Sequence, residues 1–216
     1  LTCGTDVKSY KRGYPLMTPP FPLGHESSGT VYAVGENVTK FKVGDRVVSH
    51  NSAPCNECYF CKKGLHSMCE DLIINNKNNS AFAQYILIPE RIVNQNMFHI
   101  PDDMSYRQAA LLEPFSCAVY GTANVPVEQG DYVVVNGCGP IGLMFVRLLY
   151  LKGARVIACD MSENRLEMAK KLGAFDIVDL NKVDDQIQAV KDLTPDKRGV
   201  DVAVEATGLA KVWELA

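Results

Sequence analysis

Four of the chain's eight cysteines, Cys55, Cys58, Cys61 and Cys69, fall in the stretch CNECYFCKKGLHSMC. Their spacing is C-x2-C-x2-C-x7-C. Thiolates three residues apart can face one ion across a tight turn. Four of them around a tetrahedral Zn²⁺ make a closed structural site, with bonds of about 2.3 Å. Disulfides and an iron–sulfur cluster are the competing readings. Pairing within so short a stretch strains a disulfide, and nothing else marks a secreted chain. The sequons at Asn37 and Asn78 are short enough to arise by chance. The last cysteine spacing departs from the ferredoxin run, and no proline follows it. The pattern therefore favours structural zinc, which stabilises a lobe lacking a core of its own. With no open coordination position, such a site does no chemistry.

Reactive chemistry must reside elsewhere. Cys3 lies in CGTD, which reads as a polar turn, upstream of Gly24-His25-Glu26. Thiolate, imidazole and carboxylate are the ligand types of a catalytic zinc that keeps one position open. Glu113 stands inside the apolar stretch AALLEPFSCAVYG. A charge there is costly to bury unless a cation lies beside it. Cys117, Cys138 and Cys159 have apolar neighbours and are expected in the core.

The elements that must carry these groups differ between the two halves of the chain. From residue 131 the pattern alternates strand and helix. The β-branched run Asp131–Asn136 leads into Gly137-Cys-Gly139-Pro140-Ile141-Gly142, then a helical pattern stopped by Gly153. A strand from Arg155 to Cys159 follows, ending at Asp160, and then a helix closed by Gly173. A strand at Ile177-Val178, a helix around 184–193 and a strand at Val200–Val204 complete the run. This β-α-β-α-β-α-β order predicts an α/β doubly wound parallel sheet. The glycine run follows a strand, opens a helix and precedes an acid at the end of the next strand, as a dinucleotide site requires. Gly137 makes the turn, Gly139 admits the pyrophosphate at the helix N-terminus, and Gly142 permits close helix–strand packing. Asp160 accepts bonds from the ribose hydroxyls and repels a 2′-phosphate, which favours NAD over NADP. Arg165 is counted with Pro140 and Ile141 among the cofactor-binding residues.

The chain has 216 residues, enough for one large domain or two modest ones. Its 47% hydrophobic and 22% charged content is that of a globular protein with a real core. A net charge of −3 without a basic stripe argues against a nucleic-acid partner. No apolar run approaches the roughly 20 residues of a membrane helix, so no membrane partner is expected. The chain starts at Leu1 rather than Met and stops inside the apolar pattern LAKVWELA, so both ends are read as cut.

Together these segments resemble the zinc-dependent medium-chain dehydrogenases, the alcohol and sorbitol dehydrogenase group, over essentially the whole chain. The most specific motif is G-H-E-x2-G-x5-G-x2-V, met by Gly24, His25, Glu26, Gly29, Gly35 and Val38. CGTD, the four-cysteine lobe at 55–69, LLEPFSCAVYG and GCGPIG accompany it. Where Cys138 stands, the family usually has Ala. The resemblance implies a GroES-like β-barrel catalytic domain over residues 1–120 and the first part of a Rossmann NAD-binding domain over 121–216. It implies two Zn²⁺ per chain, a cytoplasmic location and a homo-oligomer, dimer or tetramer. Cys3 and His25 match the catalytic zinc ligands, and Glu26 matches the zinc-binding carboxylate of sorbitol-type members. Glu113 matches a position that ligates the metal or its water. Thr5 matches the Ser or Thr that passes the substrate proton toward solvent. Thr5 and Glu26 are thus the expected catalytic residues.

Carboxylates are harder ligands than thiolates, so this metal should bind several oxygens readily. That tilts the expected substrate toward a polyol or sugar, oxidised at a secondary alcohol. Threonine 3-dehydrogenases share nearly all these motifs with the polyol enzymes, so a threonine 3-dehydrogenase-like activity is an alternative, as is a simple alcohol dehydrogenase. Lys8 follows Val7 where threonine enzymes commonly carry His, a slight difference because polyol members often carry it too. Lys8, Lys11 and Arg12 read as a solvated charged face rather than a phosphate site. A non-catalytic zinc- and dinucleotide-binding fragment is the alternative from another class.

Overall fold

The computed structural model describes residues 1–14, 21–72 and 80–215; Asn78 of the second sequon and the final Ala216 lie outside them. The chain divides into two compact units, Leu1–Pro114 and Phe115–Ala216. The expected boundary was 120/121.

In the first unit, α1 (Gly4–Arg12) precedes β1 (Ser28–Thr30) and β2 (Arg46–Ser49). Next come α2 (Tyr59–Lys62), α3 (Glu90–Gln95), β3 (Met97–His99) and α4 (Tyr106–Ala109). The strands form an antiparallel sheet in the order β1-β2-β3, with Gly29 opposite Val47 and Val48 opposite Phe98. Period-two alternation sends adjacent β2 residues to opposite faces. Val47 packs in a cluster with Val31 and Phe41, and Val48 in one with Ile100 and Ala109. Among the described residues this short sheet is the strand content of the unit.

CGTD is not a turn. Cys3 is the N-cap of α1: its sulfur accepts the Thr5 N–H at 3.4 Å, while Asp6 reaches back to the Cys3 N–H at 2.9 Å. This reciprocal capping starts a helix where the small polar residues suggested a loop.

Helix α5 (Leu112–Ala123) contains the division between the units. Its buried positions are 114, 118 and 122, one stripe at i, i+4 spacing. Cys117 falls off that stripe and is exposed, contrary to expectation, whereas Cys138 and Cys159 are buried as expected.

The second unit continues with β4 (Tyr132–Asn136), α6 (Pro140–Leu151), β5 (Arg155–Asp160) and α7 (Glu163–Lys171). It ends with β6 (Asp176–Asp179), α8 (Gln186–Asp192), β7 (Val202–Glu205) and α9 (Ala210–Trp213). The sheet is parallel, in the order β6-β5-β4-β7. β4 and β5 are its central strands, and β4 is buried along its whole length. Helices covering both faces of a parallel sheet account for that all-apolar run. Each fully buried valine there contributes about 1.5–3 kcal/mol relative to exposure. β7 starts later than the sequence suggests because Asp201 is otherwise engaged. Its carboxylate takes the Arg198 guanidinium at 2.9 and 3.0 Å and the Tyr132 N–H at 2.8 Å. No helix among the described residues is long and apolar enough to cross a membrane.

Candidate functional site

The four lobe sulfurs, of Cys55, Cys58, Cys61 and Cys69, lie within 4.8 Å of one another. Cys55 and Cys61 are 3.8 Å apart, and no disulfide forms. Two short elements make this gathering possible: Cys58 caps α2, and a 3₁₀ turn at His66–Met68 returns the chain to Cys69. Backbone N–H groups point at the sulfurs. Glu57 and Cys58 donate to Cys55 Sγ at 3.4 and 3.3 Å, and Cys55 donates to Cys69 Sγ at 3.3 Å. Such donors stabilise thiolates, and four thiolates are a donor set that holds zinc in a closed tetrahedron.

The thiols are not equivalent. The backbone N–H groups of Cys61 and Glu70 hold Cys58 down at about 6, while burial pushes Cys61 up to about 12. In metal-free protein at neutral pH, iodoacetamide is therefore expected to alkylate Cys58 well before Cys61, as read by peptide mass mapping. The labelling rate at Cys58 falls as pH drops through about 6, because protonation removes the nucleophile. Equal rates at the two residues would contradict this order.

A second group forms around the start of α1. One ligand atom from each of Cys3, His25 and Glu26 lies within 4.8 Å of the others. Asp6 organises it. Its carboxylate accepts the Cys3 N–H at 2.9 Å and the Gly24 N–H at 3.1 Å, and it meets His25 Nδ1 at 3.1 Å. An acid on Nδ1 fixes the imidazole tautomer and leaves Nε2 for a metal. Asp6 and Glu26 are both buried, each 5% exposed. Two backbone N–H groups and His25 offset the cost of burying Asp6, and a cation held with Cys3 and His25 would offset that of Glu26.

Glu113, in the first turn of α5, is not a member of this close group. It stands near enough to feel it: burial pushes its carboxyl up, Glu26 and Asp6 push further, and His25 opposes. Thr5 is exposed in the first turn of α1.

Two residues of the first unit escaped the sequence reading. Asp6 was legible in principle, as an acid three residues after an N-cap. His50 follows β2. Its Nδ1 is buried with no hydrogen-bond partner among the described residues, and burial lowers its pKa, keeping the ring neutral. No sequence signal singled it out.

The glycine turn of the second unit links β4 to α6. A Cβ on Gly142 would lie 1.8 Å from the Gly137 carbonyl oxygen, so α6 and the turn that follows β4 touch backbone to backbone. A Cβ on Gly139 would meet nothing within 4 Å. That open place lies at the N-cap of α6, and Pro140 occupies the first helical position, where its missing N–H costs nothing. The first-turn N–H groups of Ile141 and Gly142 are the donors that a helix start offers an anion. The turn thus has the free space and the donors that a pyrophosphate needs. Asp160, 8% exposed, closes it: its carboxylate accepts the Cys138 N–H at 2.7 Å and the Ser162 N–H at 2.8 Å. The exposed Arg165 guanidinium lies 3.7 Å from the same carboxylate.

Residues 2–102 match the alcohol dehydrogenase GroES-like domain family, and residues 140–216 match the zinc-binding dehydrogenase family. The chain belongs to the zinc-dependent medium-chain dehydrogenase family. Its GroES-like domain is followed by the parallel dinucleotide-type sheet common to that family. It is 39% identical to the sorbitol dehydrogenase of Bacillus subtilis, a match covering 95% of this chain and 58% of that protein. It is 35% identical to the L-threonine 3-dehydrogenase of Idiomarina loihiensis, covering 98% and 61%. A zinc-binding dehydrogenase from Sinorhizobium meliloti, solved bound to NADP, shares 30% identity and a TM-score of 0.84, covering 98% and 61%. The chain thus spans about three fifths of the length of these relatives.

Proposed function

We propose that this medium-chain dehydrogenase oxidises a secondary alcohol of a polyol or sugar to the ketone, with NAD as acceptor. The observation that carries this reading is the Cys3–His25–Glu26 group braced by Asp6. A set of one thiolate, one imidazole and one carboxylate leaves a coordination position for substrate, whereas the four-cysteine lobe does not. Zinc there supplies a Lewis acid that lowers the pKa of a bound hydroxyl, and the dinucleotide supplies the hydride acceptor.

The chain's own residues do the rest. Cys3, His25 and Glu26 hold the metal, Asp6 fixes the His25 ring, and Glu113 adds a second carboxylate to its surroundings. A carboxylate ligand, Glu26, makes the metal a harder acid than a second thiolate would, which suits vicinal hydroxyls. Thr5, exposed and two residues after Cys3, receives the hydroxyl proton and passes it toward solvent. Gly137, Gly139, Pro140, Ile141 and Gly142 shape the pyrophosphate cradle, and Asp160 faces the adenosine ribose.

Likeness to a sorbitol dehydrogenase supports the polyol class. The test is reduction of NAD by the zinc-loaded protein with sorbitol, xylitol, L-threonine and ethanol in parallel. The polyols are expected to turn over with the highest kcat/KM, and a preference for threonine or ethanol would overturn the substrate class. Cofactor choice has its own test. Asp160→Ala is expected to narrow the preference for NAD over NADP by about tenfold or more, because it removes a charge that repels the 2′-phosphate. An unchanged ratio would remove Asp160 from the ribose site.

A further inference from the structure

Helix α3 reaches the four-cysteine lobe at both ends of its loop. Asn96, the C-cap of α3, donates its side-chain amide to the Ser52 carbonyl at 2.7 Å, ahead of Cys55. Gln95 accepts the Asn56 side-chain amide at 3.0 Å. Asn56 stands between Cys55 and Cys58 with φ at 63°, a left-handed conformation that asparagine tolerates. At the other end, Arg91 Nη1 lies 2.8 Å from Asp71 Oδ2, just after Cys69. Ile92, fully buried, fixes the helix that carries Arg91.

Four thiolates outweigh a divalent ion, so the filled lobe is anionic. Glu57, Glu70 and Asp71 add to that charge, and Cys61 and Cys69 are buried. An anion taken out of water needs donors or cations in place of its hydration. The backbone N–H groups supply part of this. Of the lobe's own cations, Lys62 is exposed. Lys63 is turned to Tyr59, donating to its hydroxyl at 2.6 Å and lying 4.5 Å from its ring centre. Arg91 is brought in from outside the lobe. Its side chain is 33% exposed and that of Asp71 28%, so water screens the charge only in part. The Asp71 carboxylate above all, and then the Cys55 and Cys69 thiolates, raise the Arg91 pKa, which sets the guanidinium within reach of both sulfurs' charge.

We infer that Arg91 is a positioning residue for the lobe metal. Carried by α3 and oriented by Asp71, it holds a positive charge beside the Cys55 and Cys69 thiolates and tightens the lobe's grip on zinc. An acid behind a ligating histidine tunes that ligand from outside the coordination sphere, and a guanidinium behind thiolates does the same with the opposite sign. The inference rests on the lobe being a zinc site and is independent of the substrate proposed above.

The test is zinc affinity, by competition with a chelator, in the Cys3→Ser background, where the lobe zinc is the ion that remains. Arg91→Gln is expected to weaken binding about tenfold, by a factor that shrinks as salt rises. Arg91→Lys keeps the charge and should recover most of the affinity. Asp71→Asn breaks the ion pair but leaves the cation, so it should weaken zinc less than Arg91→Gln. The thermal midpoint of the metal-free protein should hardly respond to Arg91→Gln. Unchanged zinc affinity in Arg91→Gln would overturn the inference and leave the lobe reading intact. So would equal losses in Arg91→Gln, Arg91→Lys and Asp71→Asn, or a metal-free midpoint lowered as far as the zinc-loaded one, since both assign the effect to packing. A Cys3→Ser protein that binds no zinc would overturn the lobe reading and the inference with it.

Discussion

Cys3→Ser is expected to abolish turnover and lower zinc by about one ion per chain, while dinucleotide affinity stays unchanged. The substitution suits the question because the fold should survive it. Cys3 is the N-cap of α1, and serine is among the best residues for that position. What is lost is the soft thiolate, one of three donors in the group. Without the metal, the site forfeits several kcal/mol of charge stabilisation, about 10³-fold or more in rate. The glycine turn belongs to the other compact unit and keeps its geometry. Elemental analysis, a dinucleotide titration and an activity assay on one preparation separate these effects. Retained turnover would remove Cys3 from the catalytic metal.

Gly142→Ala should damage the second unit more than any other single methyl group in the glycine turn. The added carbon would stand 1.8 Å from the Gly137 carbonyl oxygen and 2.9 Å from its carbon. Both are backbone atoms, so no rotamer change relieves the clash and α6 must move off β4. Forced overpacking of this kind costs about 3 kcal/mol or more. For a unit of this size that lowers the unfolding midpoint by roughly 10 °C or more. Gly139→Ala is the internal contrast. Its Cβ enters open space on an extended backbone, with φ −67° and ψ −179°. The midpoint should hardly move, yet dinucleotide affinity should drop at least tenfold, because the methyl fills the proposed pyrophosphate place. Calorimetry and a dinucleotide titration read the two effects independently. A stable Gly142→Ala protein, or tight dinucleotide binding by Gly139→Ala, would contradict the roles assigned to the turn.

The second unit was legible in the sequence because its signals are strong and local. β4 is buried on both faces, so it reads as an unbroken apolar run, and the glycine spacing follows it directly. The ends were less legible: β7 starts at Val202 rather than Val200 because the Asp201 carboxylate serves Arg198 and Tyr132. The cysteine lobe was legible from spacing alone. Cys117 was not, since an apolar neighbourhood in sequence does not say which face of a helix a residue occupies. The start of α1 was hidden because its cap is a cysteine, a residue rarely read as one. With the helix unseen, the bracing role of Asp6 was hidden too. Glu113 was singled out as a charge in an apolar stretch and is half-buried, but the close donor group forms without it.

The central claim is that the chain carries one closed and one open metal site. Zinc per chain, measured by elemental analysis of extensively dialysed protein, tests it most directly. About two ions per chain are expected, one in the four-cysteine lobe and one at Cys3, His25 and Glu26. About one ion per chain, retained by the Cys3→Ser variant, would place all the metal in the lobe and contradict the catalytic reading.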